Sequence, residues 1–270
     1  MAYDLNRFAA DAAHGQYGHA GIDRFLLTSQ LKSVDSDNDV DMADATTLGN
    51  EAQNNLPGIP KGNIKMELVH SPTLDYQLQS IKRRSSSVFG WIAKRGLNAG
   101  YHIEMFPGSF GKDGSKFDEK SVGTENVEFG TRGAFHMGRI LLSPKGTLLS
   151  GASGLGPVDA NTAFGGATTF GGAAYLFVWD IQGSASPTFT AKVQHCTTSG
   201  GTYTDIVTGA STFATCSGTL TAPVGPWAQQ LYFPSSATIN EFVQVSWSTT
   251  GTVTGVQAMI GFGRSFDRSV

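Results

Sequence analysis

Only one segment of this chain has the periodicity of a helix, and this constrains the fold more than any other feature. Leu74, Leu78 and Ile81 recur at positions i, i+4 and i+7 after Ser71 and Pro72, which form a typical N-cap followed by proline at the first helical position. The remaining apolar segments are short or alternate with polar residues between Gly-rich turns, as β-strands do. The sequence therefore predicts a mainly β protein with one helix.

The first half of the chain has the element order of an α+β fold. Ile64, Met66 and Leu68 alternate with polar residues, which predicts a half-buried strand over residues 64–70. Other strands are predicted at residues 22–34, 87–95, 100–106, 121–130 and 134–142, and a turn at 111–114. This order predicts a mostly antiparallel sheet, forming a β-sandwich or barrel, with one flanking helix.

The second half has no helical periodicity. Strands are predicted at residues 174–181, 188–195, 203–207, 211–215, 227–233, 241–248 and 255–262. Seven short strands, with turn signals every 8–12 residues or so, are typical of a β-sandwich. The fold prediction is therefore mainly β, with a second β-sandwich following the first domain.

Charge divides the chain into two parts. Residues 1–150 hold 16 Lys+Arg and 17 Asp+Glu, whereas residues 151–270 hold 3 and 5. Such a shift indicates two domains, and the Gly-rich segment 146–173 is the predicted linker between domains at 1–145 and 174–270. The net charge of −3 gives no basic surface for specific nucleic-acid binding, and no apolar run long enough for a membrane span is present.

Residues 41–62 are polar, contain Asn, Gly and Pro, and have no sustained period. They predict a long loop, following an N-terminal arm at residues 1–20 and the strand at 22–34. A loop of this length is usually functional or disordered. Because strands are predicted on both sides of it, we expect this loop to contact another molecule.

The same segment carries a resemblance. Asp-Ala-Thr-Thr-Leu-Gly at 44–49, followed by Leu-Pro-Gly-Ile-Pro-Lys-Gly at 56–62 and then a strand, resembles the major tail tube proteins of long-tailed, siphovirus-type bacteriophages. The segments KVQHCTTSGGTYTDI and EFVQVSWSTTGT resemble the C-terminal β-sandwich domains that some phage tail proteins append to the tube domain.

The resemblance implies a structural virion protein rather than an enzyme. It implies rings of subunits, commonly six, that stack into a tail tube through which DNA passes without specific binding. The implied partners are further copies of the chain and the tape-measure, tail-terminator and distal tail proteins. The implied location is the virion tail, after synthesis in the bacterial host cytoplasm. The residues expected to contact a neighbouring subunit are Asp44, Thr46, Thr47, Leu48, Gly49, Leu56, Pro57 and Gly58.

Asp35, Asp37 and Asp39 are the strongest candidates for a functional site. Their spacing opens a calcium loop, but Val40 stands where such a loop needs glycine and Thr46 where it needs a bidentate glutamate, so this interpretation is disfavoured. In an extended strand the three carboxylates share one face, which would repel DNA phosphates in a tube lumen. A solvated turn is the alternative.

No pattern of residues supports catalysis. The six histidines lack the spacing of a zinc enzyme, and neither a nucleophile elbow nor a phosphate-binding loop occurs. We therefore expect no catalytic residues, no cofactor and no metal.

Aromatic residues of the second half allow a different function. Tyr175, Trp179, Trp227 and Trp247 would form either a core, which is the favoured interpretation, or a sugar-binding face. The second interpretation implies another virion component, such as a capsid decoration or distal tail protein, whose β-sandwich binds carbohydrate. Cys196 and Cys216 are predicted to face each other across two strands, as free thiols or as a disulfide.

Overall fold

The structure is a computed structural model. It describes residues 19–28, 30–44, 55–82, 88–93, 96–116, 123–131, 136–143, 149, 153–155, 167–219, 222–224 and 227–265. Apart from His19 and Ala20, the predicted N-terminal arm lies outside these residues, as does most of the predicted linker at 146–173. No helix in the described part of the chain is long and apolar enough to cross a membrane.

The described residues form one helix, α1 (Pro72–Lys82), and fifteen strands. The strands are β1 (His19–Ile22), β2 (Phe25–Leu26), β3 (Leu31–Asp44), β4 (Asn55–Val69), β5 (Val88–Ala93), β6 (His102–Lys116), β7 (Thr124–Thr131), β8 (His136–Leu142), β9 (Ser153–Leu155), β10 (Gly172–Cys196), β11 (Thr204–Asp205), β12 (Cys216–Thr219), β13 (Ala222–Val224), β14 (Ala228–Phe233) and β15 (Phe242–Arg264). Their pairing is antiparallel, which confirms the mainly β prediction.

The chain forms two compact units. Unit 1 contains residues 1–28, 91–105 and 136–270, and unit 2 contains residues 29–90 and 106–135. This grouping by contacts differs from the predicted boundaries at 145 and 174. The functional domains at 1–145 and 174–270 stay a prediction, and we propose a test of them below.

Helix α1 begins as predicted. The backbone N–H of Leu74 donates a hydrogen bond of 3.1 Å to the side-chain oxygen of Ser71, which satisfies one of the free donors of the first turn. Leu74, Leu78 and Ile81 are buried, so the apolar stripe is the inner face of the helix. The N-cap, the proline at the first helical position and the apolar spacing are all confirmed.

Unit 2 is built on a four-stranded sheet in the order β3–β4–β7–β6, in which β6 contributes its second half. Ile64, Met66 and Leu68 of β4 are buried, while Lys65 between them is exposed. The predicted alternation is confirmed, and it gives the sheet one apolar and one polar face. The sequence predicts a turn at 111–114, but this segment lies within β6, where a bulge after Phe110 accommodates it.

Unit 1 is built on two long strands, β10 and β15. They pair from Gly172 with Arg264 to Cys196 with Phe242. The sequence predicts four short strands here, because Gly and Ser interrupt the apolar pattern near residue 184. The structure instead has register shifts at Val178/Asp180, Gln182/Gly183 and Ser184/Thr188, so each strand continues through bulges without a loop.

Further strands flank this pair. β14 pairs with β10, β8 and β9 pair with β15, and β11 and β12 pair with the second half of β10. The strand predicted at 211–215 is reduced to a single bridge between Thr212 and Lys192. The side-chain amide of Gln229 bonds both the N–H and the C=O of Ala214, at 2.7 and 2.8 Å, in place of a backbone partner.

Aromatic side chains fill the core of unit 1. Tyr175, Trp179, Trp227 and Trp247 are at most 7% exposed, so the core interpretation of these residues is confirmed. Trp91 packs edge-on against Trp179, with ring centroids 6.0 Å apart. A sugar-binding face made of these four residues is therefore excluded.

The two cysteines do not face each other. Cys216 pairs in register with Phe189, whereas Cys196 pairs with Phe242 at the end of β10. Both thiols are free and buried. The expectation that they oppose one another was wrong, because strand order along the sequence does not set the register between them.

The strand predicted at 22–34 is divided in the structure. β1 and β2 form a short hairpin in unit 1, with Gly21 paired to Leu26, and β3 of unit 2 starts at Leu31. Only glycine fits at position 21, because a Cβ there would lie 2.5 Å from the indole of Trp91. The hairpin therefore lies in close contact with Trp91.

Candidate functional site

The sheet of unit 2 has two chemically different faces. On the apolar face the rings of Phe110 and Phe129 meet edge to face, with centroids 5.0 Å apart. The ammonium group of Lys82, at the end of α1, lies 5.9 Å from the centroid of Phe110. The aromatic pair and the Lys82 ammonium lie on this face, and the charged side chains described next lie on the opposite one.

Charged residues cross the opposite face in a row of alternating sign. Asp35 of β3 pairs in register with Lys65 of β4, Lys65 pairs with Glu128 of β7, and Glu128 pairs with Lys112 of β6. Residues directly opposite each other on antiparallel strands share a face, so Lys65 has negative neighbours on both sides. Asp35 and Lys65 are exposed.

Polar contacts bind neighbouring strands of this face together. The ammonium group of Lys32 lies 2.7 Å from the carboxylate of Glu67 in an exposed ion pair. The side-chain amide of Asn63 donates a hydrogen bond to the carboxylate of Glu128. Exposed pairs of this kind contribute up to about 1 kcal/mol each, so they fix register more than they add stability.

Of the predicted acidic stripe, Asp35 lies on this face. Asp35, Asp37 and Asp39 occupy alternate positions of β3. A calcium loop does not form here, because the segment is strand. The registered partners on β4 are Lys65 for Asp35, Asn63 for Asp37 and Lys61 for Asp39. The arrangement of the three carboxylates on one face and its orientation towards a lumen stay a prediction.

Beyond this four-stranded region, β3 and β4 pair only with each other among the described strands. The register of β4 with β7 ends at Asn63 and Gly130. There the hydroxyl of Thr131 accepts a hydrogen bond of 2.8 Å from the N–H of Gly62 and donates one of 3.0 Å to its C=O. From this point β3 and β4 form a two-stranded ribbon that extends to the pair Asp44 and Asn55. We call residues 38–44 and 55–62 the ribbon.

The ribbon corrects the prediction of a loop over residues 41–62. Residues 41–44 and 55–62 are strand, so Asp44, Leu56 and Pro57 lie in a ladder, and Gly58 in its bulge, rather than in a loop. Proline is rare in strands, and two prolines within four residues masked the strand pattern. The predicted contact residues Thr46, Thr47, Leu48 and Gly49 lie outside the described residues, and no contact of any of the eight with a neighbour is tested.

The sequence analysis missed the partners of the acidic stripe. Lys61 and Lys65 are visible in the sequence as polar positions near a strand, but only the register shows that they lie opposite Asp39 and Asp35. Thr131, which marks the base of the ribbon, carries no local sequence signal at all. Its role depends on the end of the β4–β7 ladder, 69 residues away from Gly62 in the chain.

Unit 1 contains an open groove of about 420 Å³ along β9, β10 and β15. Its lining residues are Ser153, Gly154, Thr190, Ala191, Lys192, Thr212, Ser246, Trp247 and Ser248. Its polar groups are linked to one another and to their surroundings: Lys192 lies 3.4 Å from Asp205, and Gln194 bonds both Asp205 and Ser246. The groove is therefore hydroxyl-rich and internally bonded.

Two buried groups in unit 1, His195 and Cys216, have pKa values shifted by their surroundings. Burial, together with the nearby Arg264, lowers the pKa of His195, whose Nδ1 accepts a hydrogen bond of 3.1 Å from the N–H of Asn240. Burial raises the pKa of Cys216 to about 12, so this thiol is protonated at neutral pH. Within the described ranges, no group of three or more His, Cys, Asp or Glu side chains is arranged to hold a metal ion.

Comparison with known proteins gives weak likenesses. No family profile and no curated protein matches the chain. A chain from the virion of the native gene transfer agent particle aligns with a TM-score of 0.37 and 12% identity, covering 44% of this chain and 94% of its own. The crystal structure of the SPP1 Dit protein, described as a paradigm of the hub adsorption apparatus in phages that infect Gram-positive bacteria, aligns with a TM-score of 0.36 and 8% identity, covering 93% and 100%.

A third similar chain comes from the sheath–tube complex of an extracellular contractile injection system, PVC, in its extended state. It aligns with a TM-score of 0.36 and 14% identity, over 46% of this chain and 88% of its own. With TM-scores and identities this low, these likenesses carry no argument about fold or function, and the function proposed below rests on the features of the chain itself.

Proposed function

We propose that this chain is a structural subunit of a bacteriophage tail, of the major tail tube type, and that it assembles through the ribbon. The observation that carries the proposal is the ribbon itself. Two strands that extend beyond their sheet without a third strand are marginally stable in water. A second molecule that packs on the ribbon would supply the missing contacts, and this is a reason for such a segment to be retained.

The sequence pattern that resembles tail tube proteins falls on the ribbon. Asp44, the first residue of Asp-Ala-Thr-Thr-Leu-Gly, ends β3, and Leu56 to Gly62 lie in β4. The described residues of the pattern therefore belong to the ribbon. Placement in this two-stranded extension is what the proposed contact with a neighbouring subunit requires.

In the proposed assembly, subunits form rings, most simply of six, and the rings stack into a tube. Contacts within a ring are heterologous and close by rotation, and contacts between rings give an open-ended polymer. The partners would be the tape-measure, tail-terminator and distal tail proteins. The chain would be made in the host cytoplasm, act in the virion tail and catalyse no reaction.

The charged face of unit 2 is proposed to line the lumen. Asp37 lies opposite Asn63, while Asp35 and Asp39 lie opposite lysines, so the face has closely spaced charges of both signs. Such a surface is well hydrated and has a weak net field. DNA would pass it without sticking, because the lysines registered on these strands lie opposite aspartate or glutamate and so compete poorly for phosphate counter-ions.

Negative-stain electron microscopy of the concentrated, purified protein tests this proposal. Long hollow tubes, or stacked rings, are expected. Discrete rings that do not polymerise would indicate a tail component other than the tube, such as a distal tail protein. A protein that stays monomeric at every concentration, with no location in the virion tail by antibody labelling, would overturn the proposal.

A capsid decoration or distal tail protein that binds carbohydrate is the second candidate. The hydroxyl-rich groove in unit 1 favours it, since Thr190, Ser246 and Ser248 supply donors and acceptors beside Trp247. A shift of Trp fluorescence on addition of host cell-wall glycans, abolished by Ser246→Phe, is expected under this candidate. Tubes without glycan binding would exclude it.

A further inference from the structure

The two edges of the ribbon differ in their backbone chemistry, and this follows from the hydrogen bonds at its base. In an antiparallel strand, the N–H and C=O of one residue point to one side, and those of the next residue to the other. The N–H of Val69 donates to Gln30, on the β3 side, whereas Gly62 bonds Thr131 on the β7 side. Odd-numbered residues of β4 therefore face β3, and even-numbered residues face away from it.

Pro60 is therefore on an outward position of β4. It lies two residues from Gly62, with no irregularity between Gly62–Asn38 and Pro60–Val40 in the register. The next pair is Met42 with Pro57, so two residues of β4, Gly58 and Ile59, lie opposite one residue of β3. This bulge shifts the alternation by one, and Pro57 also becomes an outward position.

The outer edge of β4 consequently offers almost no donors. Its outward positions in the ribbon are Asn55, Pro57, Pro60 and Gly62. The two prolines have no N–H, and the N–H of Gly62 is bound to the Thr131 hydroxyl. A strand added at this edge would find one donor along its whole length, which is how sheets protect an edge from unwanted pairing.

The outer edge of β3 is different. Its outward positions in the ribbon are Asn38, Val40, Met42 and Asp44, and each of these has both an N–H and a C=O. Among the described strands, β3 pairs with β4 only. An added strand can therefore form a regular ladder on β3 and not on β4.

We infer that Pro57 and Pro60 close one edge of the ribbon, so that a second copy of this chain adds a strand only along the outer edge of β3. The inference deepens the proposed function by naming the surface used in assembly. It requires nothing of the side chains at the ribbon tip, because the asymmetry lies in the backbone.

Charge determines what the added strand can be. In an antiparallel ladder, residues whose backbone groups face the partner strand lie opposite one another. If β3 paired with β3 of another copy, its outward, even-numbered residues would lie opposite each other. Its odd-numbered residues, which include the aspartates, would then also lie opposite each other. Like charges directly opposite are destabilising. The second copy therefore does not add its own β3 in antiparallel orientation, which rules out a two-fold symmetric contact at this edge, and the contact is heterologous, which allows rings or an open-ended polymer.

Exchanging residues across the ribbon tests the inference. Val40 and Pro60 are registered partners, and so are Met42 and Pro57. V40P/M42P closes the β3 edge while leaving the β3–β4 hydrogen bonds in place, and we expect the critical concentration for assembly to rise roughly tenfold or more as ladder bonds are lost. V40A/M42A changes the same side chains but keeps both N–H groups, and it should assemble within about threefold of the parent.

Opening the closed edge is the complementary test. P57M/P60V restores two donors on β4, and we expect new concentration-dependent association in sedimentation velocity, with slowed hydrogen exchange over residues 55–62. This measurement tests the closed edge even if the parent never assembles. Failure of the parent to assemble would overturn the proposed function but not the closed edge. Assembly of V40P/M42P at the parental concentration, equal loss in V40A/M42A, or unchanged association of P57M/P60V would overturn the inference.

Discussion

Units 1 and 2 each contain a long antiparallel pair with bulges, yet the two pairs are supported differently. β10 and β15 have further strands on both sides and a continuous core that includes Leu176, Val193 and Val245. Among the described strands, β3 and β4 have β7 on one side only, and only up to Asn63. A long strand pair with flanking strands is therefore supported within its own chain, whereas a long pair without them needs contacts from another molecule.

The two pairs also differ in charge. The described residues of the second half have few charged side chains, and Lys192 and Asp205 among them pair with each other. β3 and β4 instead carry charges of both signs at matched positions. Unit 1 thus holds its long strands by apolar burial, while unit 2 aligns its strands by polar contacts that cost little to rearrange.

The largest expected effect comes from truncation. A chain ending at Lys145 keeps β8 but loses β15, with which Ile140 and Arg139 pair, and it loses β10 and most of the core. We expect an insoluble or unfolded product by circular dichroism, while a chain ending at Ser265 folds. A soluble, assembling product would instead support the domain boundary predicted from the sequence at residue 145.

A matched pair of glycine substitutions compares the packing of the two units. A Cβ at Gly138 in β8 would lie 2.1 Å from the carbonyl oxygen of Phe262, so the backbone of β15 must move. A Cβ at Gly130 in β7 meets nothing within 4 Å. In urea titrations we expect Gly138→Ala to lower the free energy of unfolding by about 2–4 kcal/mol and Gly130→Ala by under about 0.5 kcal/mol. Equal effects would contradict the difference in packing.

Reversing one charge in unit 2 should have a smaller effect. Lys65→Glu places like charges beside Asp35 and Glu128, and we expect a loss of about 0.5–1 kcal/mol at low salt, since the site is exposed. Lys65→Gln removes the charge without repulsion and serves as the control. The difference between the two variants should shrink at 1 M salt; a difference independent of salt would argue against the charged row.

The smallest expected effect is a pH dependence in unit 1. The pKa of His195 is lowered in the folded state, so the unfolded chain takes up the proton first as pH falls. Its contribution to stability is present above the ordinary pKa of about 6.5 and is lost below it. His195→Gln keeps an acceptor for the N–H of Asn240 but does not titrate. The parent should lose more stability than this variant between pH 7 and 5, and parallel curves would refute the assignment.

The sequence was informative where local chemistry decides structure. The Ser71 N-cap, the apolar stripe of α1 and the alternation at Ile64, Met66 and Leu68 are local patterns, and each is confirmed. The burial of the tryptophans followed from the same kind of reasoning. In these places the residue type and its neighbours in the chain determine the result.

The sequence failed where the outcome depends on distant partners. Bulges merged predicted short strands into β10 and β15, because flanking strands hold the ladder through interruptions. Pro57 and Pro60 looked like loop residues, although on an outward edge they break no ladder bond. The balance between Asp35 and Lys65, and the separation of Cys196 from Cys216, depend on register, which no local pattern determines.

The bond between Thr131 and Gly62 has a consequence for how this protein can evolve. Because one hydroxyl ends the four-stranded region, the ribbon beyond it is a separate module. Adding two residues to each strand would lengthen it by about 7 Å and keep every side chain on its original face. Neither the hydroxyl contact nor the packed strands beneath it would change. The length of the ribbon can therefore change between related proteins while the sheet that carries it stays the same.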